Sequence, residues 1–198
     1  GACKMNDADR CRQAVAAGID ALGENRVQEM QEKLPQGAYE GVPFHFIGHL
    51  QRNKVKNVVG IAALIHSVGS LELLEEIEKQ AAKLDIVQPV LLEVNIGREE
   101  AKSGFAPEAV EQAAAHALTL PHVQVKGLMA IPPIAVGAGG NTPYFEEMYR
   151  LFIDINKKMY DNTWEYISMG MSGDYEDAIR CGANLVRVGS GIFGQRNY

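Results

Sequence analysis

Short apolar runs alternate with stretches of helical periodicity along the chain. Ile19-Asp20-Ala21-Leu22 precedes a helical stretch over 26–33, and Phe44-His45-Phe46-Ile47 precedes one over 51–59. Ala63-Leu64-Ile65-His66 leads into 71–84, the run 89–94 into 107–118, and 123–128 into 144–158. Tyr166-Ile167-Ser168 precedes a short helix over 175–181, and Leu185-Val186-Arg187-Val188 closes the series. Seven such runs, each short and apolar enough to be covered on both faces, predict parallel strands, and repeated strand–helix units predict one parallel sheet. Boundary residues agree. Asn25-Arg26-Val27-Gln28 resembles a capping box, Ser70 suits an N-cap and Pro107 a first helical position. Gly18, Gly60 and Gly182 stand where helices should stop.

Counting Ala2-Cys3-Lys4 as the tail of a truncated first strand makes eight units and predicts an α/β fold of the (β/α)8 TIM-barrel type. Such barrels usually take about 250 residues; 198 suffice here if loops are short and the first strand is clipped. No linker divides the chain, so residues 1–198 read as one domain, with Gly137-Ala138-Gly139-Gly140-Asn141 joining a strand to its own helix. The competing architecture is an open doubly wound sheet. Gly189-Ser190-Gly191-Ile192-Phe193-Gly194 matches GxGxxG after a strand, but the βαβ continuation and the acidic residue about 20 positions on do not follow in this sequence.

Composition narrows the function classes. With 46% hydrophobic and 22% charged residues the chain can bury a sizeable core, which excludes a disordered or collagen-like protein. Nineteen Lys and Arg against 25 Asp and Glu give a net charge of −6 and no long basic block, a poor basis for nucleic-acid binding. Cys3, Cys11 and Cys181 are odd in number, widely spaced and without a CxxC, so no disulfide framework or metal-ligand spacing is expected and a reducing, cytoplasmic compartment is. No apolar run approaches the roughly 20 residues of a membrane span, and no signal peptide is visible. The chain opens on Gly1 rather than Met, and residues ahead of it are expected in the natural molecule.

In a barrel, chemistry gathers at the C-terminal ends of the strands. Those ends carry Lys4, then 23–25, 48–51, 66–67, Asn95, 128–130, 168–173 and 187–191. The seventh and eighth ends are rich in Gly and Ser and lead towards helices, so their unpaired backbone N–H groups suit a phosphate. The plainer alternative is that Ser172 caps a helix and the glycines only turn, and Asp174 and Glu176 would repel an anion there. Lys4 would hold an amine in the mouth, where desolvation favours the neutral form that makes a Schiff base; it could equally be an exposed lysine at a frayed end. Arg187 stays protonated and only donates, so facing a pyridine nitrogen it would leave that nitrogen unprotonated. His45 and His49 lie on a strand and its loop, without helical two-His metal geometry, and His66, His116 and His122 have no ligand spacing. Arg52, Lys54 and Lys56 read as a solvated helix face or an anion-facing one. Met129, Met169 and Met171 could fill core or wall a flat ring.

Several of these stretches match one family in sequence order. Gly23-Glu24-Asn25-Arg26-Val27-Gln28-Glu29, Phe46-Ile47-Gly48-His49-Leu50-Gln51 with Asn53-Lys54, and Gly127-Leu128-Met129 resemble the pyridoxal phosphate homeostasis proteins, formerly the proline synthetase co-transcribed homologue group. Ser168-Met169-Gly170-Met171-Ser172-Gly173-Asp174 and Arg187-Val188-Gly189 with Ile192-Phe193-Gly194 complete the match, which runs through nearly the whole chain. The resemblance implies a fold-type III barrel like the N-terminal domain of alanine racemase, with pyridoxal 5′-phosphate at its mouth. Lys4 then resembles the Schiff-base lysine, Ser172, Gly189 and Ser190 the phosphate binders, and Arg187 the residue facing the pyridine nitrogen. Asn25, His49, Ser67, Met129 and Ser168 match positions near the cofactor. The family carries a helix and most of a strand ahead of the lysine, and an acidic residue where Gly69 stands here.

Two function classes follow from that resemblance. One is a monomeric carrier, without substantial turnover, that controls the level of the cofactor and delivers it to apo-enzymes that use it. The alternative is a racemase for amino acids using the same cofactor. Racemisation needs acid–base groups on both faces of the substrate. In the similar racemases the second one is a tyrosine from a further β-domain of a partner subunit, and only four residues follow Gly194 here. A third reading, from barrel and lysine alone, is a Schiff-base aldolase acting on sugar phosphates.

Overall fold

A computed structural model of the chain describes residues 1–134, 137 and 139–194; Ala138 of the glycine-rich stretch and the last four residues lie outside the described residues. Seven strands form one sheet in sequential order: β1 Leu22–Glu24, β2 Phe44–Phe46, β3 Leu64–Val68, β4 Gln88–Val94, β5 Val123–Ala130, β6 Tyr166–Met171 and β7 Leu185–Arg187. Every neighbouring pair is parallel. Continuous burial along β3 and over the last five residues of β4 is what parallel strands covered on both faces require.

The expected first strand is present only as one bridge, which corrects the count of eight to seven strands. Ala2 pairs with Gly23, its N–H donates to Val188 O at 2.9 Å, and Cys3 N–H donates to Gly23 O at 2.8 Å. This segment joins β7 to β1 and makes the barrel nearly closed.

The helices are α1 Ala8–Ala16, α2 Val27–Lys33, α3 Leu71–Lys83, α4 Val110–Ala117, α5 Thr142–Met159, α6 Tyr175–Arg180 and α7 Ser190–Phe193. Local signals explain several of the helical ends. Ser70 Oγ accepts from Leu73 N–H and caps α3, and Gly18, Gly60 and Gly182 all take positive φ. Asn25 does not cap α2: the N-cap is Arg26, with no side-chain hydrogen bond, so the expected capping box is not formed. The stretch Arg52–Asn57 is 3₁₀ rather than α-helical. Asn53 and Asn57 compete for the backbone and Val55, Val58 and Val59 are β-branched, all of which weaken an α-helix.

Side chains divide between two layers. Phe46, Ile65, Leu74, Ile77 and Phe145 belong to a large apolar layer between strands and helices. A smaller cluster of Leu64, Leu91 and Met129, with Ile131 and Tyr166 against it, forms apart from that layer, inside the barrel. Gly127 is required between β5 and β6, since a Cβ there would lie 1.8 Å from Tyr166 O. Register shifts interrupt the β3–β4, β4–β5 and β6–β7 pairings and re-aim the side chains beyond them.

Candidate functional site

The barrel interior carries a chain of polar side chains. Arg187, buried at the end of β7, donates through Nη1 to Ser168 Oγ and through Nη2 to Ala130 O at 2.9 Å. Ser168 Oγ lies 2.9 Å from His66 Nδ1, and His66 Nε2 lies 3.0 Å from His45 Nδ1. A guanidinium has no acceptor, so Ser168 Oγ must accept from it. Between the two neutral rings a single proton is shared, one imidazole donating and the other accepting. Burial pushes His45 down to about 4 and holds His66 well below the usual imidazole value, with His45 and Arg187 adding to the effect on His66. Both rings are therefore neutral at pH 7. Burial also lowers Arg187 to about 10, partly countered by Glu93 and Asp174, and it stays a cation at neutral pH.

The mouth above this chain is built by the loops after the strands. Ser172 Oγ accepts from Gly189 N–H at 3.2 Å and from Gly191 N–H at 3.3 Å, joining the loops after β6 and β7. The capping alternative for Ser172 is thus replaced by a bridging role. The N-cap of α6 is Asp174, whose carboxylate accepts from Met171 N–H at 2.8 Å and from Asn141 Nδ2 at 2.7 Å. That carboxylate is taken up by its own loop and by Asn141 at the start of α5. Further round, His49, Glu93, Asn95, Lys102, Ser103 and Ile131 help line a recess of about 460 Å³. Burial raises the Glu93 carboxyl, against the pull of Ser103 Oγ at 3.3 Å and then of His49 and Arg187.

Most residues expected at the site fall at or just beyond strand ends, while Ser168 lies within β6. Lys4, half-buried, follows the Ala2 bridge and precedes Met5, which takes a left-handed φ of 62°. Asn25 follows β1, and the backbone of Gly48 packs on it so closely that a Cβ would lie 2.1 Å from Asn25 O. His49 is exposed on the rim, and Ser67 Oγ is buried near the end of β3 with no hydrogen-bond partner among the described residues. Met129 is buried and in register with Ser168 across β5 and β6. Ser190 is exposed at the start of α7. Ser168 touches Arg187, and Ser172 touches Gly189, directly. Sequence reasoning passed over His45, His66 and Glu93. The available signal was a polar residue inside a buried strand run, as His66 is, beside Ser67, in Leu64–Val68 and Glu93 is between Leu92 and Val94.

Two backbone amides gathered at one hydroxyl, an unpartnered buried serine hydroxyl, a primary amine and a guanidinium with donors to spare make a set that fits an anionic aromatic carbonyl compound. Residues 2–197 match the family model of the alanine racemase N-terminal domain, the class of barrel that this sheet and mouth define. The chain is 42% identical to the pyridoxal phosphate homeostasis protein of Aquifex aeolicus, over 100% of this chain and 86% of that protein. The solved structure of PipY from Synechococcus elongatus with pyridoxal phosphate bound is 30% identical, with a TM-score of 0.89 over 98% of this chain and 91% of that one. An alanine racemase of Clostridium difficile shares the fold at a TM-score of 0.77 and 17% identity, over 100% of this chain and 52% of its own. The chain belongs to the pyridoxal phosphate homeostasis protein family.

Proposed function

We propose that this protein binds pyridoxal 5′-phosphate covalently through Lys4 and acts as a carrier that buffers the cofactor and passes it to apo-enzymes. The observation that carries the reading is that the lysine segment and the phosphate-type loop are tied to one strand end. Ala2 N–H donates to Val188 O at 2.9 Å, next to Gly189, whose own N–H is held by Ser172. Ser172, Gly189 and Ser190 are assigned to the phosphate, and Met129, Ser168, Asn25, His49 and Ser67 to the ring and its surroundings. When bound, the cofactor supplies an aldehyde that condenses with amines and a ring that can draw electrons from them. Arg187 is assigned to the ring nitrogen. Its guanidinium can only donate, and Ser168 and Ala130 O fix its plane, so a ring nitrogen held there would stay unprotonated and the ring would be a weak electron sink. Retention and release are favoured over turnover.

No described helix is long and apolar enough to cross a membrane, and we place the carrier in the cytoplasm as a monomer. The test is the visible absorption of the purified protein with borohydride trapping. A yellow chromophore trapped on Lys4, and lost in Lys4→Ala, is expected; label on another lysine overturns the assignment. Incubating the loaded protein with L-alanine in deuterated water should give no sustained Cα exchange. Turnover on the order of 10 per second would make it a racemase.

A further inference from the structure

We infer that Cys3 and Cys11 form a peroxide-responsive dithiol–disulfide pair beside Lys4, and that its oxidation moves the lysine out of register with the mouth. The second half rests on the function proposed above; the first stands on its own. Both cysteines are fully buried, one on the bridging segment and one on the inward face of α1 with Ala8 and Ala14. Their sulfurs and a carboxylate oxygen of Glu24 all lie within 4.8 Å of one another. Lys33 Nζ sits 2.6 Å from Glu24 Oε1 and 3.1 Å from Cys3 O, and Tyr39 donates to the same Glu24 oxygen at 3.1 Å.

A cluster of two thiols and a carboxylate could also be a metal site. Here the Lys33 ammonium already provides the cation that Glu24 needs, which favours the thiol pair. The same surroundings select the reacting sulfur. The neighbouring Cys3 sulfur, and then the ammonium of Lys33, hold Cys11 below the ordinary thiol value against the opposing effect of burial. Contact with Cys11 and burial push Cys3 up, and its thiol donates to Gly1 O at 3.4 Å, so Cys3 keeps its proton. The pair lies next to the turn Lys4–Met5–Asn6, whose Met5 is 56% exposed, so local opening of that turn would admit a molecule of peroxide size.

The chemistry balances with peroxide as the two-electron oxidant. The Cys11 thiolate attacks one peroxide oxygen, the O–O bond breaks, and hydroxide leaves and takes up a proton as water. Cys3 then attacks the resulting sulfenic sulfur, the S–S bond forms as the S–O bond breaks, and the departing hydroxide takes the Cys3 proton to leave as a second water. Closing the sulfurs to about 2.05 Å must draw Cys3 towards α1. Cys3 immediately precedes Lys4, and the short turn to Asp7 at the cap of α1 has little slack to absorb the movement. A displacement on the order of 1 Å at a reacting group typically costs about 100-fold in rate.

The test treats the native protein with hydrogen peroxide, then counts thiols after denaturation. The three free thiols should fall to one. Trypsin, cutting after Lys4, Arg10 and Arg12, should release two peptides joined by Cys3 and Cys11. Cys11→Ser and Cys3→Ser should prevent this, and Cys181→Ser should not. Uptake of pyridoxal phosphate by the oxidised apo-protein, followed by absorbance, should be about 100-fold slower and recover with dithiothreitol, with Cys11→Ser unaffected by peroxide. Three surviving thiols in the folded protein, over-oxidation of one sulfur without a bridge, or protection of both thiols by a stoichiometric metal would overturn the pair. A disulfide that leaves uptake unchanged would overturn its coupling to Lys4. A reduced protein that takes up no cofactor would instead sink the carrier reading, with the thiol count unaffected.

Discussion

On β6, Ile167 and Met169 belong to the apolar layer under the helices, whereas Ser168 joins Arg187 and His66 inside the barrel. The same division recurs on β2, where Phe44 and Phe46 join that layer and His45 ends the polar chain. A barrel of this kind thus keeps two cores with different rules. The outer one is large, apolar and tolerant of neighbouring shape. The inner one holds polar side chains, and the cost of burying Arg187, Ser168, His66 and His45 is offset by the hydrogen bonds that link them. Stability should therefore follow the outer layer, and ligand chemistry the inner one and its mouth.

The sharpest way to separate the two is to empty the outer layer. Phe46→Ala should cost about 3–5 kcal/mol in denaturant unfolding, while cofactor stoichiometry below the transition stays at one per chain. Equal loss of both would merge the two cores into one. Acid comes next. His45 titrates near 4 when folded against 6.5 when exposed, so as pH falls the unfolded chain takes up the proton first. Stability is complete above about pH 6.5 and declines down to about pH 4, by roughly 3 kcal/mol for His45 alone. His66 adds in the same direction. His45→Gln should flatten that slope in unfolding measured across pH 4–7; an unchanged slope would place the titrating groups elsewhere.

At the mouth, Ser172→Ala removes the hydroxyl that gathers two loop amides. Affinity for pyridoxal phosphate should fall roughly ten- to hundredfold, about 1.5–3 kcal/mol, with much less change for unphosphorylated pyridoxal in the same titration. Similar losses for both ligands would remove the phosphate role. The smallest effect belongs to the outside. Ser70→Ala at the cap of α3 should cost about 1 kcal/mol of stability, leaving cofactor affinity unchanged.

The strand pattern, the helix stops at Gly18, Gly60 and Gly182, and the cap at Ser70 were legible in the sequence because each depends on a few neighbouring residues. So was the Gly/Ser character of the last two loops. The capping box at Asn25 was misread because Asn25 lies at the close approach of Gly48, a contact from the next unit. What only the tertiary structure decided is which distant polar groups meet. His66 and Ser168 are 102 residues apart, and Lys33 is 30 residues from the Cys3 carbonyl it bonds. Such pairings arise from the inward turn of alternate residues once the sheet curves, and from the packing of α1 and α2 against the first strand ends. Local propensity carries no record of either, because the cost of burying a polar group is set by the partner that closure brings to it.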